Sequence, residues 1–266
     1  MKRAFLYMAA FAALCVGCQK EDVGGEALRN ENTFTASFES NTTRAYLDEE
    51  DYCRWELNDQ VSLFNNDGDH YIYYSVKGDV TTTQLNTNDS PEFAGENIYA
   101  IFPYSEANSI VNGTWNSVIP AEQAYNKEKV DMNNAIMVSK TAVAPKKHFS
   151  FKNSCALVKV ELNTLSNYAT GEDAFSVNSI TLSSKSENLA GAVMIADDFV
   201  AKVAEDGAKS VTLTGCGEAG QMTTDYKRFV LVIPAGTYVA GDLTISIDAT
   251  NDEFDYAVEL NRNFTI

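Results

Sequence analysis

The sequence predicts an all-β protein of two tandem β-sandwich domains. Three observations carry this. Tyr (13) and Phe (14) are plentiful and Pro (5) is rare, the balance that pleated, half-buried strands favour. Apolar residues alternate with polar ones over short runs, a period of two, and no segment sustains the 3.6-residue period of an amphipathic helix. Turn signals divide the runs into about fourteen short strands, half on either side of a polar break, as β-sandwiches do.

In chain order, residues 1–17 read as a targeting segment. Lys2 and Arg3 give a charged start and Ala4–Val16 an apolar run too short to span a bilayer comfortably. Gly17-Cys18 resembles the lipobox of bacterial lipoproteins, with Cys15 standing where Leu is usual. That resemblance implies a diacylglyceryl thioether on Cys18, cleavage before it, and acylation (palmitate, for instance) of the new amine. Several acyl chains hold a protein firmly at a membrane. Gln19-Lys20-Glu21-Asp22 resembles the short acidic tag that sends lipoproteins of bacteroidete-type bacteria to the outer face of the outer membrane. Residues 18–32, with Gly24-Gly25, form a flexible tether.

The first domain is placed at residues 33–147. Thr33–Glu39, TFTASFE, is its first strand, with Phe34, Ala36 and Phe38 on one face. Ser40–Thr43 is a polar turn, and Arg44 follows it. A tight turn at Asn58-Asp59 enters a strand ending at Phe64. Asn65–Asp69, NNDGD, marks a hairpin, since Asp-Gly suits positive φ, and HYIYYSV returns from it. The loop lacks the twelve-residue spacing and terminal acid of a calcium loop. IYAIFP (98–103), the run ending near Gln123, and AIMVS (135–139) complete the half. The break at Val143–Lys147 is the domain boundary.

The second domain is placed at residues 148–266. Its strands are Phe149–Phe151, ALVKVEL (156–162), VNSITL (177–182), LAGAVMI (189–195) with a bulge at Gly191, VTLT (211–214), FVLVI (229–233), LTISI (243–247), and the extended pieces Asp255–Leu260 and Phe264–Ile266. Gly215–Gly220 reads as a loop.

Chemistry is sparse. The formal net charge is −17, and removal of residues 1–17, which hold Lys2 and Arg3 and no acid, takes it to −19. Such a surface argues against nucleic acid or an anionic membrane as partner. The two histidines, His70 and His148, start strands and sit in no nucleophile or zinc motif. Cys53, Cys155 and Cys216 remain in the mature body; one disulfide is open to them, and spacing does not choose the pair. No cofactor, metal or enzymatic activity is expected. A second function class is a monomeric lipoprotein binding glycans for nutrient uptake, with Tyr71, Tyr73, Tyr74 and Trp115 as a stacking platform.

Several blocks together resemble the fimbrillin family, subunits of type V pili in bacteroidete-type bacteria. They are TFTASFE with TTRA after it, W-x-x-x-D-x-V-x-L-F at Trp55–Phe64, YAIFPYS at Tyr99–Ser105, IPAEQ at Ile119–Gln123, FKNSCALVKVEL at Phe151–Leu162, SITLSS with LAGAVMI, and FVLVIPAG at Phe229–Gly236. The resemblance implies transthyretin-like topology in both domains and a surface-exposed, lipid-anchored subunit serving adhesion as part of a fimbrium. It implies cleavage by an arginine-specific protease at Arg44–Ala45, loss of the first strand, and replacement by a strand from a neighbouring subunit. Cys18 matches the lipidated residue. Tyr256, Val258 and Leu260 mark the donor strand. The partners implied are other pilus subunits, the outer membrane through Cys18, and a host or bacterial receptor. Arg29 and Arg54 are rival cleavage sites.

Overall fold

The computed structural model describes residues 33–39, 46–47, 53–93, 97–126, 130–131, 134–142, 147–165, 169, 174, 176–249, 256–259 and 264–265. Among them the regular structure is almost wholly strand. It runs through β1 (Phe34–Phe38), β2 (Tyr46–Leu47), β3 (Cys53–Arg54), β4 (Gln60–Phe64), β5 (His70–Ser75), β6 (Thr82–Asn86) and β7 (Asn97–Phe102). It continues with β8 (Ser109–Val111), β9 (Thr114–Ile119), β10 (Glu122–Ala124), β11 (Val130–Asp131), β12 (Met137–Ala142), β13 (His148–Asn153) and β14 (Cys155–Leu162). Then come β15 (Val177–Ser184), β16 (Gly191–Ile195), β17 (Ala201–Val203), β18 (Ser210–Thr214), β19 (Lys227–Pro234), β20 (Thr237–Tyr238), β21 (Leu243–Ala249), β22 (Tyr256–Glu259) and β23 (Phe264–Thr265).

Seven strands close into a barrel in the order β1-β13-β12-β7-β4-β5-β6, with β6 returning to β1. All its pairings are antiparallel except β1 with β13, which run parallel, Ala36 opposite Phe149 and Phe38 opposite Phe151. Alternation along each strand sends one set of side chains inward. Val61, Leu63, Tyr73, Leu85, Ile98, Ala100, Phe102, Met137, Phe149 and Phe151 are all buried. The hairpin at Asn65–Asp69 forms as the sequence requires: Gly68 sits at φ 88, and the Asn65 side-chain oxygen accepts the amides of Asp67 and Asp69 at 3.0 and 2.9 Å.

A four-stranded sheet, β17-β16-β9-β8, covers part of the barrel's outside. Trp115 of β9 packs edge-on against Tyr99 of β7 at 5.6 Å. Buried Asn108 donates to Ser62 of β4 at 3.0 Å and accepts from Ser117 of β9 at 2.7 Å, so the two layers share a satisfied polar link. A third sheet has the order β10-β18-β15-β21-β22, and β14 pairs with β19. The expected boundary at residue 147 is crossed by sheet pairing: β13 joins β1 and β12, β9 joins β16, and β10 joins β18. Residues 32–266 form one compact unit.

Two local expectations change. Gly191 is not a bulge; it stays in register with Ile119, and the irregularity falls between Val177 and Ser179 of β15. Gly191 is needed for φ 129 and because a Cβ there would meet the Gly207 Cα at 3.1 Å. Residues Gly217–Gly220 are a turn of 3-10 helix rather than an irregular loop.

Gln123 fastens the first half to β19. Its side-chain amide donates to the Val232 carbonyl and its oxygen accepts the Val232 N–H, both at 2.8 Å, and the residue is 2% exposed. A carboxamide thus does what a neighbouring strand would do for one residue. Gln123→Leu strands two buried backbone groups, and each such group costs about 1–3 kcal/mol. Urea denaturation of the variant is expected to show a loss of about 2–4 kcal/mol.

Candidate functional site

The candidate site is the seat of β1. This strand has partners on both edges: Phe34, Thr35, Ala36 and Ser37 lie opposite Leu85, Gln84, Thr83 and Thr82 of β6, while Thr35–Phe38 lie opposite His148–Phe151. Toward the strand's two ends, the Thr35 amide donates to the Lys147 carbonyl and the Glu39 amide to the Phe151 carbonyl, both at 2.9 Å. Removing β1 would leave β6 and β13 with unpaired edges, and each exposed edge is a template for another strand.

The inward face of β1 fills the barrel. Phe34 and Ala36 are fully buried and Phe38 half-buried. Phe34 meets Tyr73, Phe93 and Phe149, with ring centroids at 5.5, 5.5 and 5.2 Å. Phe38 stacks on Trp55 at 4.4 Å and reaches Phe102 and Phe151 at 6.3 and 6.2 Å. Trp55 and Phe93 therefore gather the aromatic rings around the two ends of the strand. Neither was singled out from sequence as part of this seat. Trp55 lies beside a turn, and Phe93 follows a proline in a loop, so the period-two pattern marks neither.

The outward face of β1 carries a second fastening. His148 Nδ1 lies 2.8 Å from the Thr35 hydroxyl and Nε2 lies 3.0 Å from the Ser37 hydroxyl. Thr35 Oγ1 donates to the Lys147 carbonyl at 3.3 Å. With that donation made, it is placed to accept from Nδ1–H, and in the neutral ring Nε2 is the acceptor for Ser37. Lys152 pairs with Glu39 at 3.6 Å, an exposed contact of little weight. No local pattern marks His148 for this role, because its partners sit more than a hundred residues away.

Cys18, Arg44, Ala45 and Leu260 lie outside the described residues, as do the targeting segment and tether. Of the rival cleavage sites Arg29 is also outside. Arg54 is held in β3, with Nη1 donating to the Asp79 carbonyl at 3.2 Å and Nε 3.6 Å from its carboxylate. The donor candidate Tyr256–Glu259 is β22, paired antiparallel with β21 at the edge of its own chain's sheet, Val258 opposite Ile245. Cys155 and Cys216 are buried free thiols, so they do not bond each other. Burial pushes them up to about 12 and about 11, which keeps the reactive thiolate scarce.

The stacking platform expected from sequence does not exist. Trp115 is 0% exposed, held beneath its sheet between Tyr99 and Phe199. Tyr73 is also buried, its hydroxyl raised well above the ordinary range mainly by burial. Both rings are core because their positions in β9 and β5 face inward; the period of two fixes which residues share a face and leaves the direction of that face open.

No family model and no curated protein matches the chain. Two solved structures are similar to it. One is a protein of Bacteroides uniformis provisionally assigned to cell adhesion, 14% identical, with 85% of this chain and 83% of that chain covered and a TM-score of 0.48. The other is a fimbrial protein of Bacteroides vulgatus, 10% identical, with 88% of this chain and 89% of that chain covered and a TM-score of 0.40.

Truncating the inward anchor should cost far more than removing the outer fastening. Phe34→Ala is expected to lower unfolding free energy by about 3–5 kcal/mol. His148→Ala is expected to cost about 0.5–1.5 kcal/mol. Parallel urea titrations compare the two; equal losses would show that the outer fastening matters as much as the core.

Proposed function

We propose that this chain is a structural or anchoring subunit of a cell-surface pilus, assembled by exchange of its first strand and serving adhesion. In this reading it reaches the outer membrane as a lipoprotein acylated on Cys18. Cleavage at Arg44–Ala45 frees β1, and a strand from a neighbouring subunit takes its seat. The tandem transthyretin-like sandwiches of the fimbrillin resemblance belong to the same proposal. So does the absence of chemistry: strand addition needs no catalytic residue of this chain.

The observation that carries the proposal is the seat of β1. One short strand closes the barrel, both its edges are paired, and its inward face is apolar. Losing it would turn the barrel into a six-stranded sheet with two open edges and an aromatic groove lined by Tyr73, Phe93, Phe149, Trp55, Phe102 and Phe151. Each large apolar side chain seated there is worth about 1.5–3 kcal/mol. Backbone pairing supplies affinity and the pockets supply register, as in other strand-addition complexes. Arg54 is the poorer cleavage site, being tied into β3 and to Asp79. A subunit that keeps β1 would be an anchor; one that loses it would be a stalk subunit. Donation by β22 would require this strand to leave β21 first.

Purified mature protein treated with an arginine-specific protease is expected to release residues up to Arg44. The trimmed protein is then expected to form ladders that survive mild denaturant, and Arg44→Ala to stop both events. A protein that stays monomeric after complete cleavage at Arg44 overturns the polymerising form of the proposal. Sequencing the N-terminus of protein taken from cells distinguishes acylated Cys18 from free Ala45, and so anchor from stalk.

A further inference from the structure

Outside the seat of β1, the barrel wall carries an open depression of about 520 Å³ beside β5 and β6. Its size suits a small ligand. Tyr74 forms part of it, half-buried, opposite Asn86 in the β5–β6 pairing. Leu57 and Val76 border it at 61% and 38% exposed. Two of the large apolar side chains that this surface leaves in water thus share the lining with one aromatic residue. Asn58, Asn86 and Asn88 supply three side-chain amides, and Thr87 a hydroxyl. No charged side chain lines it.

The walls are fixed before any ligand arrives. Asn58 sits at φ 67, with its amide donating to the Ser75 carbonyl at 3.0 Å. The Glu56 amide donates to the Asp59 carboxylate at 2.7 Å, the Asp59 amide to the Ser75 hydroxyl at 3.0 Å, and the Ser75 hydroxyl to the Glu56 carbonyl. Gly78 packs so closely that a Cβ there would stand 2.8 Å from the Leu57 amide nitrogen. On the other wall, Thr87 Oγ1 accepts the Asp89 amide at 3.1 Å. These bonds use backbone, Ser75, Asp59 and Thr87. Among the described residues, the side-chain amides of Asn58, Asn86 and Asn88 and the Tyr74 hydroxyl make none, so they keep their donors and acceptors for a ligand.

We infer that this depression binds a neutral saccharide. A pyranose presents a C–H face that suits an aromatic ring and aliphatic neighbours, and a rim of hydroxyls that each donate and accept. Carboxamides offer both roles on a planar group. The uncharged lining gives nothing to a uronate, sialate or sulfate, and a chain of net charge −17 repels them. The site is distinct from the seat of β1: it lies on the outside of β5 and β6, and it gives an adhesive subunit, or a monomer, a surface to hold.

The test uses full-length mature protein and a panel of neutral oligosaccharides built from glucose, galactose, mannose and N-acetylglucosamine, alongside sialylated and sulfated ones. Calorimetry or saturation-transfer NMR is expected to find saturable binding of at least one neutral saccharide. Asn86→Ala, Asn88→Ala and Tyr74→Ala are each expected to weaken it about tenfold or more, while Gln84→Ala, on exposed β6 outside the depression, leaves it unchanged. Asn86 and Asn88 are exposed, so their variants keep the fold whatever Tyr74→Ala does to it. No neutral binding at concentrations up to about 10 mM, binding untouched by the Asn variants, or a preference for acidic glycans overturns the inference. Failure of polymerisation after cleavage at Arg44 leaves it standing.

Discussion

Everything in the barrel depends on β1 being paired on both edges. The other six barrel strands form a continuous antiparallel run, β13-β12-β7-β4-β5-β6, and that run alone is an open sheet. It closes only because one five-residue strand lies antiparallel to β6 and parallel to β13. The aromatic rings around it follow from that closure. The period of two puts Phe34 and Phe38 on one face, closure turns that face inward, and Tyr73, Phe93, Phe149, Trp55 and Phe102 converge on them.

The closing strand is held in two chemically different ways. Inside, burial of rings gives a non-directional stabilisation that any apolar strand of similar volume would reproduce. Outside, His148 reads two hydroxyls, Thr35 and Ser37, at fixed positions. If another strand took this seat, the first would accept substitutes and the second would select among them. A replacement strand with apolar residues at alternate positions would fill the core, yet it would satisfy His148 only with polar groups at the two intervening positions. The sequence of β1 meets both demands, with Phe34, Ala36 and Phe38 inward and Thr35 and Ser37 on His148.

Much of this was legible in the residues. Alternation placed Phe34, Ala36 and Phe38 on one face, and Asp-Gly placed the hairpin at Gly68. What alternation does not encode is partnership. Nothing in FKN or TFTASF says that β1 runs parallel to β13 across a polar break, since parallel and antiparallel edges need the same residue types. The boundary at residue 147 was read from composition, and pairing between β9 and β16 or β10 and β18 ignores composition. The tyrosine and tryptophan platform failed for a related reason: Trp115 and Tyr73 obey the strand period, but only the packed layers decide that their face is the covered one. The Gln123 link to Val232 was equally hidden, because a glutamine inside a strand reads as solvent-exposed until its edge is seen to stand in for a strand.

The parallel pairing of β1 with β13 also sets an order in time. The Thr35 hydroxyl and its partner on His148 are 113 residues apart, so closure waits until that length of chain is present and folded behind it. Contacts of such long sequence separation form late and slowly. In the interval before closure the aromatic interior faces outward, and any strand at hand competes for it. Before closure, a chain that carries β1 and a chain without it would offer the same open seat, and the difference would be whether the occupant comes from its own chain or from another.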